Sequence, residues 1–242
     1  MSGRVSAVIA GAGSGTRLGA SVPKALVELG GVPLIVHAIR GVKNAGIDDV
    51  VVTIPAGDSA REQFDAALDA GEVSARLVVG GATRQGSVAN GLAAVESEFV
   101  LIHDAARALT PVAVIDRVVA ALEAGHDAVV PALAVTDTIK EVGSAAPASY
   151  PPVEPVERTL TRSSLRAMQT PQGFRTELVR EAHRAGEEMR ASEASAAPDD
   201  AALVEALCKP VVLVEGSYEA MKVTTPWDLV VAELILKSRG DL

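Results

Sequence analysis

Aromatic side chains are scarce, with three Phe, two Tyr and one Trp making up 2% of 242 residues. The core must therefore be built from Val, Leu, Ile and Ala, in a chain that is 48% hydrophobic. Continuous runs of such residues suit parallel strands buried on both faces. Cys208 is the single cysteine, which excludes an internal disulfide and fits a reducing cytosol. In Ala-Leu-Cys-Lys it reads as a small core residue. The four histidines form neither a triad-like motif nor a His/Cys cluster, so a structural zinc has no ligand set.

Basic charge is also in deficit. The formal net charge of -9 gives no general attraction to nucleic acid, and any phosphate must meet a local cluster of cations. Nothing approaches a transmembrane span, so no membrane partner is expected. The short apolar start at 5–10 runs into glycines without a cleavage pattern, so no signal peptide is expected and the location reads as cytoplasmic. The length suits one α/β domain covering 1–242.

Apolar, largely β-branched runs recur at 5–10, 50–54, 76–79, 99–102, 128–131 and 211–214. Between them lie stretches with helical spacing at 34–42, 60–68, 87–95 and 112–122. This alternation predicts a mostly parallel twisted sheet with helices on both faces. It breaks within 138–162, where a Gly/Ser/Ala/Pro-rich stretch is flanked by two short extended pieces. That region reads as a protruding two-stranded β-arm, or alternatively as a disordered surface loop. A soft stretch at 191–198 reads as a mobile loop before Asp199-Asp200, which could cap the next helix. Thr225 as cap and Pro226 at the first position open a last helix running to about Ser238, placing Lys222 just before it.

After the first strand comes Gly11-Ala12-Gly13-Ser14-Gly15-Thr16-Arg17-Leu18-Gly19, then Pro23-Lys24. Ligands in open α/β sheets bind beyond the carboxyl ends of strands. Glycines let backbone N–H groups converge on phosphate oxygens. The Walker pattern is absent, and G-x-G-x-x-G fails because Thr16 occupies its last position. Two cations, Arg17 and Lys24, on such a loop in an acidic chain point to a polyphosphate site.

These residues resemble the signature of nucleotidyltransferases that activate sugar phosphates. Gly80-Gly81-Ala82-Thr83-Arg84-Gln85-Gly86-Ser87, His103-Asp104-Ala105-Ala106-Arg107, Gln169-Thr170-Pro171-Gln172 and Lys222-Val223-Thr224-Thr225-Pro226 narrow the likeness. Together they resemble the 2-C-methyl-D-erythritol 4-phosphate cytidylyltransferases, in order over nearly the whole chain. The resemblance implies a Rossmann-like nucleotidyltransferase fold and a reaction of CTP with a polyol phosphate. It implies that Gly11, Ala12, Gly13 and Gly15 wrap the nucleotide and that Gly81, Ala82 and Ser87 recognise cytosine. Asp104 and Arg107 would meet ribose, metal or acceptor. Thr138 and Arg162 would reach the neighbouring subunit's acceptor from the arm of a homodimer. Lys222 would hold the acceptor phosphate. The chain departs from the family pattern with Gly11 for alanine, Ala108 for proline, Pro198 for threonine and Ala220 for asparagine, none of which removes a basic residue.

The chemistry agrees with this inventory. A phosphate monoester, with a second pKa of about 6, is already a nucleophile at neutral pH and needs no general base. The barrier is electrostatic, so positioned cations and Mg²⁺ carry the reaction. Arg17 and Lys24 are assigned to the α-phosphate transition state, and Arg162 and Lys222 to aligning the acceptor. Mg²⁺ would be held mostly by CTP oxygens and water, with Asp104 as the protein candidate. The alternatives are a cytidylyltransferase for ribitol 5-phosphate, a nicotinamide-dependent oxidoreductase and a non-catalytic nucleotide sensor. Blander readings place His103 at the end of a buried strand, His37 in the core or a dimer surface, Trp227 in packing and Glu28 in solvent.

Overall fold

The computed structural model describes residues 4–13, 15, 22–143, 153–192 and 194–240, without the side chains of 190 and 191. Arg17 and the arm tip at 144–152 lie outside the described residues. The elements run β1 (Val5–Ala10), β2 (Glu28–Leu29), β3 (Val32–Pro33), α1 (Leu34–Asn44), β4 (Val50–Ile54), α2 (Asp58–Ala70), β5 (Arg76–Val79) and α3 (Arg84–Ala93). Then come β6 (Phe99–Asp104), α4 (Val112–Glu123), β7 (Ala128–Ala134), β8 (Lys140–Val142), β9 (Val156–Thr159), β10 (Arg166–Met168) and β11 (Gln172–Arg175). The chain ends with α5 (Thr176–Ala185), α6 (Asp200–Ala206), β12 (Val212–Glu215) and α7 (Pro226–Arg239).

Eight strands form the main sheet, along the path β10-β7-β11-β6-β1-β4-β5, with β12 also paired to β7. Ala132 pairs with both Met168 and Glu215, so β12 occupies the edge of β7 opposite β10 and β11. Only β10 and β11 run antiparallel within this sheet. Sequence patterning missed them because Pro171 divides a polar stretch into two short pieces. Every residue of β4 and β6 is buried, as expected for central parallel strands.

Strand alternation sorts the core into two layers. Ile9, Val52 and Leu101 pack with Ile35, Ile39, Phe64, Leu68, Val118 and Leu122 on the face covered by α1, α2 and α4. Val8, Val51, Val100 and Ile102 pack with Val88, Leu92, Val179 and Leu203 on the face covered by α3, α5 and α6. A third cluster, including Leu29, Leu34, Leu109, Val223 and Leu236, seats α7. Phe64, Phe99 and Phe174 are buried in this aliphatic core, whereas Trp227 is 71% exposed, contrary to its expected packing role. Cys208 is exposed at φ 56° just beyond the end of α6, so it is not a core residue either.

The arm contains a separate two-stranded ladder, with Lys140 opposite Thr159 and Glu141 opposite Arg158. Glu141 and Arg158 form an exposed ion pair. The described part of the 191–198 stretch ends pinned, with Ala197 N–H donating to the buried Gln85 Oε1 at 3.0 Å. No helix among the described residues is long and apolar enough to cross a membrane.

Candidate active site

A cavity of about 630 Å³ opens beyond the carboxyl ends of β1, β5 and β6. The loop after β1 is closed by Lys24 N–H, which donates to Gly13 O at 3.1 Å. Gly15, at φ 70°, turns the chain so tightly that a Cβ there would lie 3.1 Å from Lys24 Cα. Glycine is required because a side chain disfavours that backbone conformation. Pro23 then starts a 3₁₀ turn, Lys24–Leu26, and Lys24 lines the cavity.

The second wall follows β5. Thr83 caps α3 by accepting from Gly86 N–H at 3.0 Å. Ser87 Oγ donates to Thr83 O at 2.9 Å and accepts from Gly81 N–H at 3.1 Å. Gly81 lies directly on the first turn of α3, where a Cβ would come within 2.7 Å of the Gly86 backbone. This wall is therefore backbone packed on backbone, and Gly81, Ala82 and Ser87 of it line the cavity.

Asp104 ends β6 on the cavity floor. Its backbone N–H donates to Thr170 Oγ1 at 3.0 Å, and His103 Nδ1 lies 2.8 Å from the same hydroxyl. Burial pushes the His103 imidazole down to about 4, so it is neutral at neutral pH. That agrees with its reading as the end of a buried strand rather than a base. Asp104 Oδ1 accepts from Arg84 Nε at 2.9 Å, and Oδ2 lies 2.7 Å from Lys222 Nζ. Burial alone would raise this carboxyl, but Arg84 and Lys222 outweigh it and hold the group far below the usual carboxylate range. Val223 N–H donates to Ala106 O at 2.8 Å, fixing the Lys222 loop to the floor. Asp228 Oδ2 accepts from Thr224 N–H at 2.8 Å, Thr224 Oγ1 at 2.7 Å and Thr225 N–H at 2.8 Å. With Thr225 accepting from Asp228 N–H, this completes the capping box of α7.

The structure brings Gly11, Ala12, Gly13, Gly15, Lys24, Gly81, Ala82, Ser87, Asp104 and Lys222 around one cavity. Three expected residues do not line it. Arg107 donates instead to Ala220 O at 2.7 Å and Met168 O at 3.1 Å, tying three loops together. Thr138 is exposed on the arm, and Arg162 Nη1 donates to Thr136 O at 2.7 Å. Arg84 and Thr224 line the cavity without having been assigned roles. The available signal for Arg84 was its place directly after a helix cap, where a cation opposes the helix dipole and so needs another reason to be there.

Among the described residues, no group of three His, Cys, Asp or Glu could hold a metal ion. Asp104 is a hard, ionised oxygen donor of the kind Mg²⁺ prefers, but both its oxygens already face cations. Among the described residues, the lining therefore fits a magnesium ion bound chiefly by a polyphosphate and water, and the expected Asp104 contact is already taken up by Arg84 and Lys222.

A family model described as "IspD: 2-C-methyl-D-erythritol 4-phosphate cytidylyltransferase" matches residues 5–238. A protein of that name from Nocardia farcinica (strain IFM 10152) is 46% identical over 242 residues, covering 99% of this chain and 97% of the relative. One from Streptomyces coelicolor is also 46% identical, covering 98% and 86%. The crystal structure of 2-C-methyl-D-erythritol 4-phosphate cytidylyltransferase from Thermus thermophilus superposes with a TM-score of 0.76 at 35% identity, covering 97% of this chain and 99% of that one.

Proposed function

The chain belongs to the 2-C-methyl-D-erythritol 4-phosphate cytidylyltransferase family, and on that premise we propose how its cavity joins CTP to 2-C-methyl-D-erythritol 4-phosphate. The products are 4-diphosphocytidyl-2-C-methyl-D-erythritol and pyrophosphate. The observation that carries the reading is one cavity lined by Lys24 from the glycine loop and Lys222 from the loop before α7, with Asp104 on its floor.

The backbone of Gly11, Ala12, Gly13 and Gly15 receives the triphosphate, whose oxygens need converging N–H donors. Gly81, Ala82 and Ser87 face the cytosine, and a small wall of backbone groups rejects a purine by size and by unpaired polar atoms. Lys24, together with Arg17, stabilises the charge that grows on the α-phosphate and on departing pyrophosphate. Lys222 holds the acceptor phosphate. One acceptor oxygen forms the new bond to the α-phosphorus as the bond to pyrophosphate breaks, and pyrophosphate leaves with that electron pair. The dianion is the nucleophile, so no proton has to be removed from it. Mg²⁺, when bound, would supply charge neutralisation on the triphosphate, held chiefly by the triphosphate oxygens and water.

Thr138 and Arg162 lie outside the cavity of their own chain and fit a role in a neighbouring subunit's acceptor site. The working unit in this reading is a homodimer with exchanged arms in the cytoplasm. Pyrophosphate release, measured with CTP, Mg²⁺ and a panel of polyol phosphates, tests the reaction. Release should be fastest with 2-C-methyl-D-erythritol 4-phosphate. Release with ribitol 5-phosphate alone would reassign the acceptor, and none with any acceptor would leave a nucleotide sensor.

A further inference from the structure

Lys222, the residue read above as the acceptor-phosphate lysine, is already paired with Asp104 at 2.7 Å. An incoming phosphate must therefore compete with a buried carboxylate for the same ammonium. Asp104 has a second cation, Arg84, whose Nε donates to Oδ1 at 2.9 Å. Arg84 is anchored from behind, with Nη1 donating to Asp200 Oδ2 at 2.9 Å. Asp200 is 1% exposed and its Oδ1 lies 3.0 Å from His183 Nε2 on α5. The chain His183–Asp200–Arg84–Asp104–Lys222 thus runs without a break from the α5–α6 layer to the cavity.

The two cations on Asp104 differ in freedom. The Arg84 side chain is 23% exposed and forked between two buried carboxylates, whereas the Lys222 side chain is 39% exposed. A guanidinium fork fixed at two points holds geometry, while an ammonium on a flexible stem can change partners. Removing one member of a buried charge pair leaves the other uncompensated, so Asp104 can release Lys222 only if another cation stays.

We propose that Arg84 is a positioning residue for acceptor capture: held by Asp200, it keeps Asp104 compensated and in place while Lys222 transfers to the acceptor phosphate. This rests on the reading of Lys222 given above. Without Arg84, Asp104 would have Lys222 as its only remaining ion-pair partner among the described residues and would grip it against the substrate.

The test uses the full-length protein and three measurements: KM for 2-C-methyl-D-erythritol 4-phosphate, Kd for CTP, and the thermal midpoint. Arg84→Met alone strands Asp200, so the main variant is R84M/D200N, which removes both charges of that pair. The acceptor KM should rise about tenfold or more while Kd for CTP stays within about twofold of the wild-type value. Arg84→Lys keeps a charge but not the fork, and should recover part of the loss. A lowered midpoint with wild-type acceptor KM would make Arg84 merely structural and overturn the proposal. A matching rise in Kd for CTP would place Arg84 on the nucleotide and overturn it too. If R84M/D200N does not fold, Arg84→Lys carries the decision, since an unchanged acceptor KM there refutes positioning by the fork. Wild-type protein in the same assay separates the two levels. Activity there with unaffected variants removes only this proposal, whereas inactivity there removes the parent reading as well.

Discussion

The cavity lined by Lys24 and Lys222 and the β8–β9 arm are built on opposite plans. The cavity rests on the ends of central strands, with walls of backbone on backbone and a floor carboxylate compensated by two cations. The arm is a short exposed ladder with a surface ion pair between Glu141 and Arg158 and exposed Val142, Val153 and Val156. One region is fixed by the main core. The other is held, among its described residues, by a local ladder and by the bond from Arg162 to Thr136 O at its base, and Arg162 is the residue proposed to serve the reaction. In the proposed reading, affinity for the nucleotide is set within one chain, while placement of the acceptor depends on Lys222 and also on what the arm meets.

The largest effect that could break this contrast is at Lys24. Lys24→Ala should lower turnover on the order of a hundredfold or more, with the thermal midpoint unchanged. Arg162→Ala should raise the acceptor KM and leave CTP binding intact. Mixed dimers of the two variants should regain part of the activity, because one cavity would then receive both intact groups. Proven mixed dimers without recovery would make the arm a same-chain device.

Acid provides the next test. The folded carboxyls of Asp104 and Asp200 lie below their ordinary value because Arg84 and their other partners outweigh burial. The unfolded chain then binds more protons than the folded one as the medium is acidified. Their contribution is complete above about pH 4 and fades as pH falls further. Urea unfolding should show a midpoint that drops below pH 4, with a shallower drop in R84M/D200N. Smaller still is the α7 cap: Asp228→Ala should cost about 1 kcal/mol by the same measurement. Smallest is the arm's own pair, where Glu141→Ala should change stability by about 0.5 kcal/mol or less. A loss as large as that of Asp228→Ala would show the ladder to be more than surface decoration.

Much of this was legible in the sequence because the relevant patterns are local. The apolar runs gave the parallel strands, Thr225-Pro226 gave the cap of α7, and the glycine loop gave the place of Lys24. Residues joined by tertiary contacts were not legible. Asp199 does cap α6, but the adjacent Asp200 turns inward to Arg84 and His183, partners 116 and 17 positions away. Arg107 sits in a motif that suggested ligand contact, yet its guanidinium meets carbonyls brought close only by the fold. β10 and β11 were hidden because their pairing to β6 and β7 is antiparallel and long-range.

The glycine-backed wall has an implication for how this protein can change over generations. Where Gly81 touches the first turn of α3 there is no side chain to exchange, and adding one would push against peptide atoms. If, as proposed, this wall reads the cytosine, nucleobase choice is thereby shielded from gradual drift by point substitution. The opposite end of the pocket, furnished by long side chains on loops, is where new acceptor preferences have room to arise.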